Sequence, residues 1–409
     1  MNTLFPLITE YNEEFKEYYT YRQVYFKWNI NSEAFHLLKR YNDFPDSSYY
    51  WVYPKGQEPR EKHVLFGTYY IQHKIWKHQF PATCEDKKFL IAPLWFAGIG
   101  SIIHILARSL ALAIAYNRIL VVYSNNRIWG DRVFCDDDNQ SLLCYLQPMT
   151  NCSIPISNVN KFIHTNNLAN FSDFFISKDL YYNEYPNKKY IIMRRCMTQH
   201  SIPSYVHVFM KLYHFQISEN WYWRIQAATF ITRLNERTVN WIREYEKEHC
   251  KNCKNEYDIS LYILHGDKGK EMKLVNANVY KEATNIITSL GMKKNYTVYV
   301  NADDQESVDA IHTLPYIVTS FNQSRHNYGL AKILIAPHTA LISFAGLYNQ
   351  IRADHSVGTI GSNWNRLIYE LKSTVGMKSD GFIFEVNQEN CISYSQCASK
   401  SLSLYTGER

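Results

Sequence analysis

The sequence predicts an α/β fold built on parallel sheets, and three observations carry that reading. From Tyr257 onward, short apolar runs alternate with segments of helical period: "ISLYILHG", "NVYKEATNIITSL", "YTVYVNADD", "ESVDAIHTL" and "YIVTSF". Strands alternating with helices form a parallel sheet with helices on both faces. A shorter block of the same kind lies upstream, where "KKFLIAPLWF" and "RILVVYS" flank a glycine turn and a helix. Finally, 46% hydrophobic and 20% charged residues are proportions of a globular chain.

Taken in order, residues 1–80 are polar and aromatic with weak periodicity and little glycine. They read as a helical and irregular lead-in without a core of its own. Residues 81–245 form a first α/β domain with a loop-rich insertion. Its helix runs from Ser101 to about Asn117, with an apolar stripe at Ile102, Ile103, Leu106, Leu110, Ala113 and Ile114; Arg108 lies off the stripe. Residues 125–200 are rich in Asn, Cys and Pro and read as loops, with "YIIMRRCM" a strand. The span 219–248 reads as one long helix or two. Residues 246–390 form the second domain. There "LAKILIAPHTALISFAGLYNQI" is mostly helix, "HSVGTIGS" a strand, "NWNRLIYELKST" a helix and "GFIFEV" a last short strand, before a tail at 391–409. Two such units imply two facing Rossmann-like domains. Ligands of such sheets sit outside the carboxyl ends of the strands.

Composition narrows the function classes. A net charge of +6 is spread without a basic run, which argues against a nucleic-acid surface and suits a small anionic ligand. Aromatics at 15% suit stacking on sugar or nucleotide rings, as in a lectin-like protein, but are better read as drift in an Asn/Tyr/Ile-rich composition. The uncharged run Phe89–Ala107 has the length of a membrane span, but Pro93, Gly98, Gly100 and His104 break it, so no span is expected. The N-terminus shows no basic region followed by an apolar one, hence no signal peptide. Nine cysteines include a cluster at Cys135, Cys144 and Cys152, as in a loop-rich disulfide region, and a lone pair, Cys250 and Cys253, that is no zinc ribbon. Sequons at Asn139, Asn151, Asn170, Asn295 and Asn322 join the cysteines in pointing to a secretory lumen.

Four strand-to-helix loops are candidate sites. "GIGS" opens a helix, and Gly98 and Gly100 would let backbone N–H groups meet an anion; the alternative is a tight turn needing positive φ. In "HGDKGKE", Lys268 and Lys270 can meet phosphates, Asp267 can orient one of them, and Glu271 can take a proton from an attacking hydroxyl. The alternative there is a solvated charged turn. "NADDQES" places Asp303 and Asp304 at a strand end, where one carboxylate can cap the next helix while the other binds ribose or base. "GTIGSNWNR" sets Ser362 and Asn363 at a helix start suited to a diphosphate, with Arg366 one turn in. "CDDDNQ" reads as loop, and no metal motif is present.

The ordered set "GIGSIIH", "WYWRIQAATFITRLN", "LHGDKGKEMKLV", "VYVNADDQES" and "DHSVGTIGSNWNRLIYEL" resembles the α1,6-fucosyltransferase family, especially its divergent protist and algal members, over roughly residues 84–385. The resemblance implies a two-domain, GT-B-like nucleotide-sugar transferase fold. It also implies GDP-fucose as donor substrate, a glycan acceptor, inversion at the anomeric carbon, no metal or other cofactor, and a Golgi or ER setting for N-glycan modification. Carried over, Glu271 is the catalytic base, aided by Asp267 and Lys268. His265 stands at the second of two basic positions, and Asp303 with Asp304 meets the nucleotide. Ser362 and Asn363 meet the phosphates. Leu264 stands where the family has a phosphate-binding arginine, and a further family carboxylate falls on Tyr348. A second expectation is therefore a member that binds nucleotide sugar or glycan with weakened or no turnover.

Overall fold

The computed structural model describes residues 65, 67–94, 97–124, 129–136, 141–154, 171–174, 187–193, 202–212, 219–250, 252–265, 273–290, 293, 295–322, 338–359, 361–378 and 383–386. The apolar run Phe89–Ala107 divides as its glycines dictate, into a strand, β1 (Phe89–Pro93), and a helix, α2 (Ile99–Ala115). Among the described residues no helix is long and apolar enough to cross a membrane. β2 (Ile119–Tyr123) returns parallel to β1, with Leu90 opposite Leu120. β4 (Tyr190–Met193) joins the other side of β1 and β3 (Phe171–Phe174) completes a parallel sheet of order β2-β1-β4-β3. Preceding it, α1 (Thr68–Gln79) buries Tyr70, Ile71 and Ile75 in the same core, so this end of the lead-in packs as part of the domain.

α2 buries the predicted stripe except Ile114, which is half-buried, and it buries Ala107 and Ala111 on its flank as well. The extra faces meet α4 (Glu219–Ile231), which follows α3 (Ser204–Leu212). α4 is apolar nearly all round and buried nearly all round, as such a helix must be. The span 219–248 is two helices. The break falls at Thr232–Asn235, where Asn235 Oδ1 accepts the Thr238 N–H at 2.9 Å and caps α5 (Glu236–His249). α5 runs through the boundary expected at residue 245.

The second sheet has order β7-β6-β5-β8-β9, again all parallel. Its strands are β5 (Tyr257–Ile263), β6 (Thr297–Ala302), β7 (Ile317–Thr319), β8 (Ala353–Gly358) and β9 (Ile383–Glu385). Ile259, Leu261, Val298 and Val300 face α6 (Ala277–Leu290) and α7 (Gln305–His312). The opposite face meets α8 (Thr339–Ile351) and α9 (Asn363–Lys372). Residues 330–337, read as the start of a helix, lie outside the described residues.

The two sheets share one hydrophobic core, in which Ile103, Leu106, Trp223 and Phe230 meet Phe344, Leu367 and Leu371. The expected pair of α/β units is present, joined through a common layer of helices. Cysteine pairing is wider than the cluster implied. Cys135 pairs with Cys144, but Cys152 crosses to Cys84, while Cys250 and Cys253 close on each other.

Candidate active site

The carboxyl end of β5 delivers Leu264 and His265 beside the end of β6, because Ile263 pairs with Ala302. His265 then organises the acidic pair. Its backbone N–H donates to Asp303 Oδ1 at 2.8 Å, and Nδ1 lies 3.0 Å from Asp304 Oδ2. Nε2 lies 2.9 Å from the Val275 carbonyl, which can only accept, so both ring nitrogens are spent on protein partners. The rest of this loop, with Asp267, Lys268, Lys270 and Glu271, lies outside the described residues.

The two aspartates divide their work. Asp304 is the N-cap of α7, accepting the Ser307 N–H at 2.7 Å and the Ser307 hydroxyl at 2.9 Å. Asp303 instead accepts the His265 N–H at the strand ends. Burial, against the His265 N–H and with the Asp304 charge reinforcing it, pushes its carboxyl above the ordinary range. Next to it on β5, burial also raises the Tyr262 phenol, whose ring lies 6.2 Å from that of Trp364 on α9.

The start of α9 meets the start of α2. Gly98 caps α2 at φ −62°, with no side-chain cap and nothing within 4 Å of where its Cβ would stand. A positive φ is therefore not why glycine is there. Gly100 is glycine for close approach. A Cβ on it would stand 2.8 Å from the Asn363 carbonyl carbon and 2.9 Å from the Trp364 nitrogen. Two helix N-termini thus converge, each at the carboxyl end of a parallel sheet. First-turn N–H groups have no intrahelical acceptor, and two positive dipole ends side by side favour an anion.

Side chains of this junction are mostly committed inward. Ser362 Oγ caps α9 through the Asn365 N–H. Asn363 Nδ2 lies 2.7 Å from Ser101 Oγ, and Asn363 Oδ1 lies 2.9 Å from His104 Nδ1. His104 Nε2 lies 2.9 Å from Glu370 Oε2, and Arg224 Nη2 donates to Glu370 Oε1 at 2.5 Å. Glu370 is 0% exposed. Burial alone would raise its carboxyl, but His104 and Arg224 overcome that and hold it below the usual range. Arg366 adds positive field to the same cluster. Two further polar groups in the first turn of α9 are unpaired. Asn365 is 0% exposed with neither amide atom bonded, and the buried indole Nε1 of Trp364 has no partner. Leaving such groups unsatisfied costs about 1–3 kcal/mol each.

Sequence reading missed His104, Arg224, Glu370, Trp364 and Asn365. Glu370 carried a signal: it stands among Leu367, Ile368 and Leu371, where an acid has to be paired. The assignment of a site carboxylate position to Tyr348 is corrected. Tyr348 is 4% exposed and stacks under Arg352, with the guanidinium 3.8 Å from its ring centroid. Arg352 also pairs with Glu246 and lies over Tyr257, the first residue of β5. α8 runs back along the sheet, so its end lies at the strands' amino ends, away from the site. A second tie across the two halves joins Asp131, after β2, to His338 at the start of α8, with Oδ2 and Nδ1 2.7 Å apart. Among the described residues no group of three His, Cys, Asp or Glu side chains is placed to hold a metal ion.

No family model matches the chain. No curated protein matches it either. Among solved structures, a mutant of Arabidopsis thaliana FUT1 in complex with GDP is similar at 10% identity, over 82% of this chain and 81% of that one, with a TM-score of 0.48. NodZ α1,6-fucosyltransferase soaked with GDP-fucose is similar at 12% identity, over 70% of this chain and 93% of that one, with a TM-score of 0.40. POFUT1 in complex with GDP-fucose gives 10% identity, 73% and 98% coverage, and a TM-score of 0.42.

Proposed function

We propose that the chain is a glycosyltransferase that binds a nucleotide sugar where the two sheets meet. The observation that carries this reading is the convergence of the Gly98–Gly100 and Ser362–Asn363 helix starts at the carboxyl ends of two parallel sheets. A diphosphate answers the unpaired N–H groups there. Asp303, kept out of the helix cap, suits the nucleoside. The sequence motifs supply the finer reading: GDP-fucose as donor, transfer in the manner of α1,6-fucosyltransferases, and an N-glycan acceptor. Three disulfides and the sequons support a secretory lumen, where such acceptors are found.

In this mechanism an acceptor hydroxyl oxygen attacks the anomeric carbon from the face opposite the diphosphate. The carbon–oxygen bond to phosphate breaks, its electron pair leaves with GDP, and the hydroxyl proton passes to Glu271. Arg366, Lys268 and the helix starts stabilise the departing charge. The reaction needs no metal if these groups carry that charge.

Calorimetry with GDP and GDP-fucose, followed by transfer to a simple N-glycan, tests the reading. Binding with transfer that Glu271→Gln abolishes while GDP affinity holds is the expected result. Absence of GDP binding overturns it. Tight binding without transfer selects the second reading, a family-like binder in which Leu264 has cost turnover.

A further inference from the structure

The first sheet gathers positive charge at the end away from the candidate site. Residues 65–124 carry six Lys and Arg against two acids, Glu85 and Asp86. β1, β2 and β4 start level, with Phe89 opposite both Ile119 and Tyr190. Each strand is entered through basic residues: Lys87 and Lys88, then Arg118, then Lys188 and Lys189. The ladder continues into these entries. The Ile119 N–H donates to the Lys88 carbonyl and the Phe89 N–H to the Lys189 carbonyl, both at 2.8 Å. Arg118 is the fixed member: it is 0% exposed and donates to the Lys188 carbonyl at 2.8 Å, tying the entry of β2 to that of β4. α1 ends at the same place, bringing Lys77 and His78, and His78 Nε2 lies 2.8 Å from the Arg118 carbonyl.

A cavity of about 570 Å³ opens there. Lys77, His78, Lys87, Lys88 and Tyr116 line it, and Asp86 is the one carboxylate on its wall. Pairing does not cancel the charge. Lys77 and Lys87 are exposed and have no ion pair among the described residues, and neither Glu85 nor Asp86 has one. Lys189 Nζ donates to the Glu85 carbonyl at 3.1 Å, not to a carboxylate. The carbonyl ends of α1 and α2 close on this region and favour a cation or two. Five lysines with a buried arginine exceed that, and a concave surface of one sign concentrates its field on an opposite charge.

We propose that this cavity binds a sulfated glycan chain, one sulfate ester entering between Lys77, Lys87 and Lys88 while others along the chain meet Lys188 and Lys189. Concavity selects the partner, since a flat lipid surface would touch the rim and leave the hollow unfilled. The cations are spread over three neighbouring strand entries, about 5 Å apart from strand to strand, which answers a chain of several charges better than a single phosphate. The disulfides favour a secretory lumen, where glycans rather than nucleic acids are the polyanions at hand. The five residues of β1, about 16 Å, separate this end from the helix starts of the candidate site. A glycan held here leaves the donor site open, so the two sites fill independently.

The test is calorimetry of the full chain with a heparin-derived tetrasaccharide at low ionic strength. Binding that weakens steeply as salt is added is expected. The triple variant Lys77→Ala, Lys87→Ala and Lys189→Ala alters three exposed side chains and should fold. At about 2- to 5-fold per charge it should bind the tetrasaccharide about 10- to 100-fold more weakly, with GDP affinity unchanged. A control of equal charge, Lys211→Ala with Lys247→Ala and Lys281→Ala on α3, α5 and α6, should lose about 2-fold at most. Absence of tetrasaccharide binding overturns the proposal. Equal losses in the two triple variants overturn it in favour of net charge alone. Displacement by GDP overturns it by placing the sulfates at the paired helix starts, and tighter binding to vesicles of anionic lipid overturns it in favour of a membrane surface. The nucleotide-sugar reading is judged apart, by the GDP affinity of the wild type.

Discussion

The Asn363 carbonyl occupies the space a side chain on Gly100 would need, at 2.8 Å from its Cβ position. That contact is between two backbones, so neither partner can rotate away. Gly100→Ala should therefore push α2 off α9, costing about 1–3 kcal/mol and weakening GDP binding at least as much. Gly98, with open space beside it, behaves in the opposite way. Gly98→Ser supplies the missing cap and raises the melting temperature slightly, by the equivalent of about 0.5 kcal/mol. It should still reduce anion affinity, since the new hydroxyl oxygen occupies the N–H groups. Thermal melts and GDP titrations of the two variants check both signs.

Removing one member of the His104–Glu370–Arg224 cluster strands the others. Glu370→Gln is expected to cost about 3–5 kcal/mol, the range for breaking a buried pair. The pH dependence has a defined sign. His104 is lowered from 6.5 in the folded state, so the unfolded chain takes up its proton first and stability falls as pH drops below that value. Glu370 is lowered from 4.5; its contribution is complete above that value and is lost as pH falls through the depressed folded value. Both slopes point the same way, giving a two-stage loss on acidification. In denaturant titrations from neutral to acid pH, His104→Asn should remove the first stage and Glu370→Gln the second. A single unchanged stage in both variants would count against these assignments.

Asp303 and Asp304 are neighbours with opposite expected phenotypes. Asp304→Ala removes the α7 cap and the His265 partner, costing about 1 kcal/mol or somewhat more. Asp303 is raised in the folded state, so at neutral pH its ionised form weakens the fold. Asp303→Asn should leave stability unchanged or slightly higher while lowering nucleotide affinity. Melting curves with and without GDP separate the two effects. Equal losses of stability would show that Asp303 is structural.

The fold was legible because β1, β2 and the middles of β5 and β6 are apolar and most of the helices carry plain stripes. Leu90, Ile91, Leu261 and Val300 announce parallel strands with no knowledge of their partners. The order of strands in each sheet was not legible, since nothing local in "FIFEV" says that it pairs with β8. That one of the two aspartates caps a helix was legible from their place before "QESVDAI", but which one was not. The division of labour with Asp303 depended on where the His265 N–H points, a fact of register between β5 and β6. The junction at Gly100 and Asn363 was legible only as two separate helix starts. Their meeting is set by how α2, α4 and α9 pack on one another, over more than 250 residues of separation. Tyr348 was misplaced for the same reason: a residue's position along a helix does not reveal which end of the sheet that helix points to.

Leu264 offers the sharpest test of how a nucleotide sugar would be held. It follows directly on β5, half-buried, beside His265, whose ring is already tied to Asp304 and Val275. Neither of the two positions that follow the strand therefore offers a side-chain donor to a phosphate. Arg366 stands one turn into α9 and contributes to the field at Glu370. A guanidinium at position 264 would stand at the carboxyl end of β5. One well-placed donor at a developing phosphate charge is worth about 3 kcal/mol, or roughly 100- to 1,000-fold. Leu264→Arg should thus accelerate transfer by that order while changing GDP affinity less, because the extra charge is most valuable when GDP leaves. The partly lost apolar burial of Leu264 offsets about 1 kcal/mol of stability. Steady-state rates with GDP-fucose, set beside GDP dissociation constants, decide the matter. A gain confined to binding would place the new cation on the ground state, and no gain at all would show that Arg366 and the helix starts already meet the phosphate.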